Sequence, residues 1–234
     1  MKVRMKFAKT GPLMYVGHLD LLRYFQKVFR RAGVDIAYSQ GYSPHQILSF
    51  AAPLGIGVTS EGEYMDAEFH STKSSEEMLA QINAACQTPF IKVTEFVELK
   101  EGAKKAMAAV AGADYRVTLE STEPSLMQCL TSVENFLQQP SIFVLKKTKK
   151  GETQWDIRPF IHDMRVDGQS ITMRLTTGSV NNLKPELVME SLFAFCGLPY
   201  DNLSFRVHRL ETLLWKEEEG CFAPLSADGH RIML

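Results

Sequence analysis

Two histidines in the first third of the chain carry the side chains best suited to chemistry. His18 and His45 lie in the stretch 10–62, which is rich in Gly, Tyr and Pro. A histidine near its titration range can act as a general acid or base, or bind a ligand. His18, Asp20 and His45 could form a three-ligand metal set, but their spacing matches no diagnostic pattern. We therefore expect no metal and no other cofactor, and leave binding and catalysis open as roles for His18 and His45. Because connections on a rigid scaffold commonly present binding groups, we also expect the segments 15–20 and 41–45 to meet in one cleft.

Basic side chains provide a second kind of candidate surface. On the predicted helix 18–32, Arg23, Lys27, Arg30 and Arg31 lie opposite an apolar stripe. Basic groups beside aromatic rings can neutralise phosphate and stack on unpaired bases, although a solvated helix face gives the same pattern. A second cluster at a predicted hairpin consists of Lys146, Lys147, Lys149 and Lys150, with Trp155 and Arg158 after it. The predicted substrate-binding residues are Tyr15, His18, Asp20, Arg23, Lys27, Tyr42, His45 and Arg158.

Length and composition limit the classes of protein to which the chain can belong. The chain has 234 residues and a hydrophobic fraction of 45%, which suits one large or two smaller globular domains. No apolar run approaches the roughly 20 residues that span a bilayer, and the first nine residues carry charges where a signal peptide is apolar. We therefore expect a cytoplasmic protein that does not enter a membrane. Its four cysteines form neither a CxxC pair nor a CxxxCxxC run, which argues against a zinc knuckle or an iron–sulfur cluster.

Charge is distributed unevenly along the chain although the formal net charge is only −1. Residues 1–60 contain eight Lys or Arg and two Asp, whereas residues 61–99 contain eight Asp or Glu and two Lys. Such blocks predict a polarised surface if they stay apart. If the fold interleaves them, they neutralise each other instead.

The order of predicted elements is repeated in the two halves of the chain. Residue periodicity predicts strands at 2–8, 90–99, 114–120 and 204–215, and helices at 18–32, 75–86, 124–138 and 185–197. Corresponding elements are offset by similar distances along the chain, which indicates a duplication. We predict an α+β fold of two tandem ferredoxin-like (βαββαβ-type) units with antiparallel sheets, at 1–99 and 113–234, joined by a linker at 100–112. In such a unit the sheet face opposite the helices is either covered or used for binding.

The glycine-rich stretch also carries a family resemblance. Its motifs are Tyr15–Asp20 (YVGHLD), Gly41–His45 (GYSPH) and Leu54–Gly57 (LGIG), continued by DIRP at 156–159 and NLKP at 182–185. With these motifs the chain resembles the bacterial radical-SAM-linked proteins, a domain of unknown function found alone or fused behind a radical SAM protein. The resemblance implies a working relation to a radical SAM enzyme. Because this chain lacks the CxxxCxxC cluster motif, it should not generate the radical itself.

Together these observations predict an accessory protein that binds and positions a substrate, which we expect to be RNA, for a radical SAM protein. Two alternatives stay open at this point. One is a metal-independent endoribonuclease-like enzyme that uses His18 and His45, and the other is a protein–protein adaptor that binds no nucleic acid. The sequence does not define an oligomeric state.

Overall fold

A computed structural model describes residues 1–120, 123–148 and 151–233. It divides by contacts into two compact units, Met1–Ala111 with Arg209–Leu234, and Gly112–His208. Both contain helices and antiparallel strands, so the predicted α+β class is confirmed. Residues 209–234 pack with the first unit, whereas the sequence-based division placed them in the second. The division at 100–112 stays a prediction about the chain's organisation.

The secondary-structure elements are numbered along the chain. The first ones are β1 (Lys2–Lys9), α1 (His18–Ala32), β2 (Leu48–Phe50), β3 (Thr59–Glu68), α2 (Ser75–Ala85), β4 (Ile91–Leu99) and α3 (Ala106–Ala109). Next come β5 (Val110–Leu119), α4 (Pro124–Thr131), α5 (Val133–Leu137), β6 (Phe143–Thr148), β7 (Gly151–Asp156), β8 (Ile161–Asp167), β9 (Ser170–Thr176) and α6 (Pro185–Phe195). The last are β10 (Phe205–Lys216), β11 (Cys221–Pro224) and β12 (Gly229–Arg231).

In the first unit, an antiparallel sheet supports α1 and α2. Its strands follow the order β12-β4-β1-β3-β10, with β2 also paired to β3 and β11 to β10. Met5 of β1 lies opposite Met65 of β3 and Phe96 of β4. The helices bury their apolar sides against these strands, and Phe25 of α1 stacks edge-on against Phe7 with ring centroids 4.9 Å apart.

The helix predicted over 18–32 is confirmed, and its ends are explained locally. Leu21, Phe25 and Val28 recur at helical spacing and are buried, so the apolar stripe drives this segment onto the sheet. Gly33 ends the helix with φ of 64°, a left-handed conformation that glycine adopts without a steric penalty. This helix is therefore positioned by features visible in the sequence.

The opposite face of the first sheet is covered. Arg4 is completely buried and its guanidinium forms a two-pronged ion pair with Asp66, at 2.8 and 3.1 Å. The same guanidinium donates to the carbonyl oxygens of Lys104 and Leu225, and Asp66 accepts from the backbone N–H of Ala106. These bonds fix the segment containing α3, and the 3-10 turn Leu225–Asp228, on the sheet. The sequence predicts that this face is either covered or used for binding, and the structure shows that it is covered.

The same strands show that the two charge blocks interleave. Antiparallel pairing places Arg4 opposite Asp66 and Lys6 opposite Glu95. The Lys6 ammonium also lies 2.6 Å from a carboxylate oxygen of Glu211. Arg4 and Lys6 of the basic block are thus neutralised within the first unit, while the cations on α1 stay exposed.

In the second unit, the strand order is β10-β5-β9-β8. Met173 of β9 lies opposite Tyr115 of β5 and Met164 of β8. The hairpin predicted around residue 150 is confirmed as β6 and β7, which form a separate two-stranded sheet.

The single helix predicted over 124–138 is wrong in one respect, because it is divided into α4 and α5 at Ser132. The hydroxyls of Thr131 and Ser132 both donate to the carbonyl oxygen of Gln128, at 2.7 and 3.4 Å. Such side-chain bonds compete with the helical ladder. The interruption follows from two adjacent hydroxyl residues that the apolar periodicity does not reveal.

Candidate nucleic-acid interface

The exposed side of α1 carries a stripe of cations. Arg23, Lys27 and Arg30 occupy positions i, i+4 and i+7, so they lie along one side of the helix, and all three are exposed. The Arg23 guanidinium also lies 3.1 Å from the Asp20 carboxylate, a largely exposed pair that contributes little stability. Arg31 differs, because its guanidinium donates two bonds, of 3.1 and 3.0 Å, to the carbonyl oxygen of Ala85 at the end of α2. We refer to Arg23, Lys27 and Arg30 as the cationic stripe.

A small polar pocket lies beside the last part of this stripe. It has a volume of about 180 Å³, and its lining consists of Gln26, Arg30, Tyr38, Pro44, His45 and Gln46. The connection after α1 forms its second wall, where Tyr38 pairs with Gln46 across a short antiparallel bridge. The turn at the tip contains Gly41, with φ of 112°, and the fully exposed Tyr42. We call this cavity the His45 pocket.

Local hydrogen bonds hold His45 in place. Its Nδ1 lies 2.8 Å from the hydroxyl oxygen of Ser39, and its backbone N–H donates to the same oxygen at 3.1 Å. Beside it, the buried Gln46 amide donates to the Gln26 carbonyl oxygen and the Tyr38 hydroxyl. A histidine ring oriented through Nδ1 presents its other nitrogen in a fixed direction. The pocket therefore offers a guanidinium, an imidazole and a phenol to a ligand.

The Tyr15–Asp20 segment lies at the other end of α1. A buried lysine, Lys9, holds the turn before the helix by donating to the Val16 carbonyl oxygen at 2.8 Å. Burial lowers the pKa of Lys9, and the nearby Glu63 carboxylate opposes that shift. The loop around Gly57 joins the same end, since the Gly57 N–H donates to the Met14 carbonyl oxygen. Tyr15, His18 and Asp20 are all exposed there.

The structure therefore separates the two segments that were expected to share one cleft. Gln26 and Arg30, which line the His45 pocket, follow His18 by eight and twelve residues. At a rise of about 1.5 Å per residue, that is roughly 12 to 18 Å along the helix axis. The structure brings Tyr42 and His45 close to the cationic stripe, and it places Tyr15, His18 and Asp20 at the beginning of the helix.

The remaining predicted site residue, Arg158, belongs to the second unit. Its guanidinium donates to the carbonyl oxygens of Leu137 and Ile161, at 2.9 and 3.3 Å, so it ties a helix end to a strand. Trp155 packs against Phe160 with ring centroids 5.3 Å apart. Of the second basic cluster, Lys149 and Lys150 lie outside the described residues.

Three residues of the His45 pocket were not predicted, namely Gln26, Tyr38 and Gln46. Gln26 is a polar residue one helical turn from Arg23 and Arg30, so its spacing could have added it to the stripe. The bridge between Tyr38 and Gln46 leaves no periodic signal, because it consists of one isolated pair around a turn.

The described residues contain neither a cluster of metal ligands nor a membrane-spanning helix. Among residues 1–120, 123–148 and 151–233, no three His, Cys, Asp or Glu side chains are grouped so as to hold a metal ion. Within the same ranges, no helix combines the length and apolar character needed to cross a membrane.

The chain belongs to a protein family that is described as an uncharacterized protein conserved in bacteria (DUF2344), whose model matches residues 2–185. No curated protein matches the chain. A solved structure that is similar, titled "Crystal Structure of a Cbf5-Nop10-Gar1 Complex", shares 9% identity with a TM-score of 0.43. The alignment covers 90% of this chain and 48% of the other, so this chain spans about half the length of that one. At this score the likeness carries no conclusion about function, and the radical SAM association stays a prediction.

Proposed function

We propose that the chain is a non-catalytic cytoplasmic partner of a radical SAM enzyme and that it holds RNA on the cationic stripe of α1. The observation that carries the RNA part is the stripe itself, since three exposed cations in line lead into a pocket with His45. Regularly spaced cations suit a phosphate backbone, and the exposed Tyr42 offers a ring on which an unpaired base can stack. The radical SAM part rests on the motif resemblance and on the absence of a cluster motif from this chain.

The finer description of the fold belongs to the same proposal. The strand orders β4-β1-β3-β2 and β10-β5-β9-β8 place corresponding strands in corresponding positions. A helix follows the first strand, and another precedes the last, in both. These features support a tandem ferredoxin-like architecture, in which the two units present different connections from one scaffold.

A positioning role is favoured over intrinsic RNA cleavage by the geometry of the two histidines. A paired general acid and base must both be within hydrogen-bond reach of the reacting groups, directly or through one water. The His45 pocket lies two to three helical turns beyond His18. The described lining of that pocket contains one imidazole, which can bind a phosphate oxygen without a second proton-transfer group.

The salt dependence of RNA binding tests the proposal. We expect the affinity for a fluorescently labelled single-stranded 12-mer RNA to fall steeply with KCl, because each neutralised phosphate releases counterions. The double variant Arg23→Glu, Lys27→Glu should reduce the slope of log affinity against log salt by about 1.4, or about 0.7 per phosphate of a single strand. Lys73→Glu, Lys92→Glu changes the net charge equally at two exposed positions off the stripe and should leave the slope unchanged.

Three results would overturn this assignment. If the stripe variant and the control variant lower the slope equally, the stripe has no special role in contacting phosphates. If the RNA is cut by the wild-type protein in EDTA, and a folded His45→Ala variant cuts it about 100-fold more slowly, the chain is an enzyme. If the protein does not bind RNA, the hypothesis of a protein–protein adaptor would be favoured instead.

A further inference from the structure

Side chains from α1 and from the connection after it meet at one backbone oxygen beside the cationic stripe. The Gln26 carbonyl oxygen accepts from Nε of Arg30 and from Nε2 of Gln46, both at 3.3 Å. The Gln46 amide also donates to the Tyr38 hydroxyl at 3.4 Å. These shared bonds hold Arg30 and Tyr38 at the His45 pocket, which both residues line.

The groups that stay available around this pocket are suited to donate hydrogen bonds. Among the residues that the structure describes, the two terminal nitrogens of the Arg30 guanidinium contact no acceptor, because only Nε is bonded. The Tyr38 hydroxyl accepts from Gln46, so its own hydrogen is free to donate. His45 is held by Ser39 through Nδ1, which leaves Nε2 available. An anion beside an imidazole favours the protonated ring, in which both nitrogens donate.

No carboxylate competes with these donors within the described lining of the pocket. The side-chain oxygen of Gln46 is buried, so this amide supports Tyr38 and does not offer an acceptor to a ligand in the pocket. A guanidinium, an imidazole and a phenol without an opposing negative charge suit an anion that has several oxygens. The planar fork of an arginine matches two oxygens of a phosphate in particular.

The place and size of the pocket favour the end of an RNA strand over its interior. Arg30 is the last cation of the stripe and also lines the pocket, so a strand that follows the stripe leads into it. The volume of about 180 Å³ equals roughly six water volumes of about 30 Å³. This is room for a phosphate group with part of its sugar. A terminal phosphomonoester offers three oxygens and a charge of about −1.5 to −2 at pH 7, whereas an internal phosphodiester carries about one charge.

We propose that the His45 pocket holds a terminal phosphomonoester of the RNA that lies on the cationic stripe, with Arg30, Tyr38 and His45 as its donors. The inference rests on the proposed function, because it requires RNA to follow the stripe. It adds that the protein distinguishes a phosphorylated RNA end from a hydroxyl end.

Binding of matched RNAs to the full chain tests the proposal. The probes are 12-mer single strands of one sequence with an internal fluorescent label, and they carry a 5′-phosphate, a 3′-phosphate or hydroxyls at both ends. We expect one phosphorylated RNA to bind at least about tenfold more tightly than the RNA with two hydroxyl ends, because hydrogen bonds to charged groups are the strong ones. Inorganic phosphate and the uridine 5′- and 3′-monophosphates should compete only weakly, since they do not reach the stripe.

Arg30→Lys tests the guanidinium fork without changing the net charge. The preference for the phosphorylated end should fall to about threefold or less, because lysine lacks the planar pair of donors. Binding of the RNA with two hydroxyl ends should change by less than about twofold, since the charge on the stripe is kept. Arg231→Lys makes the same change at an exposed arginine of the first unit that is off the stripe, and it should leave the preference unchanged.

His45→Ala tests the second donor of the pocket. It should also lower the preference to about threefold or less, on the scale of one lost hydrogen bond to a charged group. His70→Ala removes an exposed histidine of the same unit outside the pocket and is the matched control. The double variant Arg23→Glu, Lys27→Glu should weaken binding of the phosphorylated and the hydroxyl RNA by the same factor.

The possible failures of this proposal and of RNA binding itself can be told apart. If the phosphorylated and hydroxyl RNAs bind equally and both respond to Arg23→Glu, Lys27→Glu, end recognition is wrong and RNA binding by the stripe stands. If the preference survives both Arg30→Lys and His45→Ala, the terminal phosphate is held elsewhere. If a uridine monophosphate binds as tightly as the phosphorylated RNA, the pocket holds a free nucleotide and not an RNA end. If none of the RNAs binds, the proposed function is wrong, and this inference is wrong with it.

Discussion

The connection after the first helix of each unit has a different structure in the two units. In the first unit, the residues between α1 and β2 form a turn that packs against α1 and builds the His45 pocket. In the second unit, the corresponding connection between α5 and β8 contains the β6–β7 hairpin, which borders the groove beside α6. One connection presents an imidazole and a phenol beside the Arg30 guanidinium of α1, and the other presents an open strand edge with apolar side chains.

This difference shows that a repeated strand order does not imply a repeated site. The two strand orders correspond, but each candidate site combines a helix with a connection whose structure differs between the units. Binding groups are commonly carried by connections on a rigid scaffold. The two connections therefore present different surfaces, a polar one beside the cations of α1 in the first unit and an apolar strand edge in the second.

The largest expected effect tests whether every cation of the first unit is a binding group. Arg4→Met should lower the free energy of unfolding by about 3 to 5 kcal/mol, because it leaves a partly buried Asp66 and two carbonyl oxygens without their partner. Arg23→Met removes an exposed pair and should cost less than about 1 kcal/mol. Urea denaturation of both variants measures the difference. If both variants lose the same free energy of unfolding, Arg4 has no greater structural role than the exposed Arg23.

A smaller effect concerns the rigidity of the second unit. The Sγ atoms of Cys129 in α4 and Cys196 at the end of α6 lie 2.8 Å apart. Diamide should oxidise this pair to a disulfide, with two thiols losing their hydrogens and the diamide reduced to the hydrazine. Burial raises the pKa of Cys129, so the reaction should accelerate as pH rises. Intact mass spectrometry and peptide mapping measure the bond, and we expect stabilisation of about 2 to 4 kcal/mol.

The remaining cysteines provide the control for that experiment. Cys86 and Cys221 are free and should stay reduced at the diamide concentration that links the pair. Cys129→Ser should abolish the link. A crosslink that involves Cys86 or Cys221 instead would contradict the expected pairing.

Sequence patterns could predict the elements more completely than the sites. The apolar stripe of α1 and the cap at Gly33 are local, so periodicity is sufficient to identify them. The burial of Arg4 depends on Asp66 and on two carbonyl groups 100 and 221 positions away, and no local pattern records those contacts. Its charge was therefore counted with the exposed cations of α1.

The candidate sites show the same limit. His45 and Tyr42 were predicted from their turn-rich surroundings, but their neighbours Gln26 and Gln46 depend on how the turn packs against α1. The groove was missed because it combines a strand edge with a helix side about 45 positions away. Considered alone, the strand and the helix each have an ordinary amphipathic pattern.

The smallest expected effect is a difference in pH response between the two units. Burial raises the pKa of Glu211 in the first unit, with Lys6 opposing the shift, whereas burial and then Arg174 lower the pKa of His162 in the second. As pH falls through the raised pKa of Glu211, the folded state takes up the proton before the unfolded chain, so this group's contribution becomes more stabilising. As pH falls through about 6.5, the unfolded chain protonates its histidine before folded His162 does, so that contribution becomes less stabilising.

Single variants separate these opposite contributions from the other titrating groups. Urea denaturation at pH 7.5 and 5 should show that the stability of the parent relative to Glu211→Gln increases on acidification. Relative to His162→Gln it should decrease. Both changes should be below about 1 kcal/mol, and the His162 change should be the smaller because this side chain is exposed and solvent screens its interactions. Changes of the same sign would mean that Glu211 and His162 respond to protons in the same direction, and the contrast between the two units would then be confined to their connections.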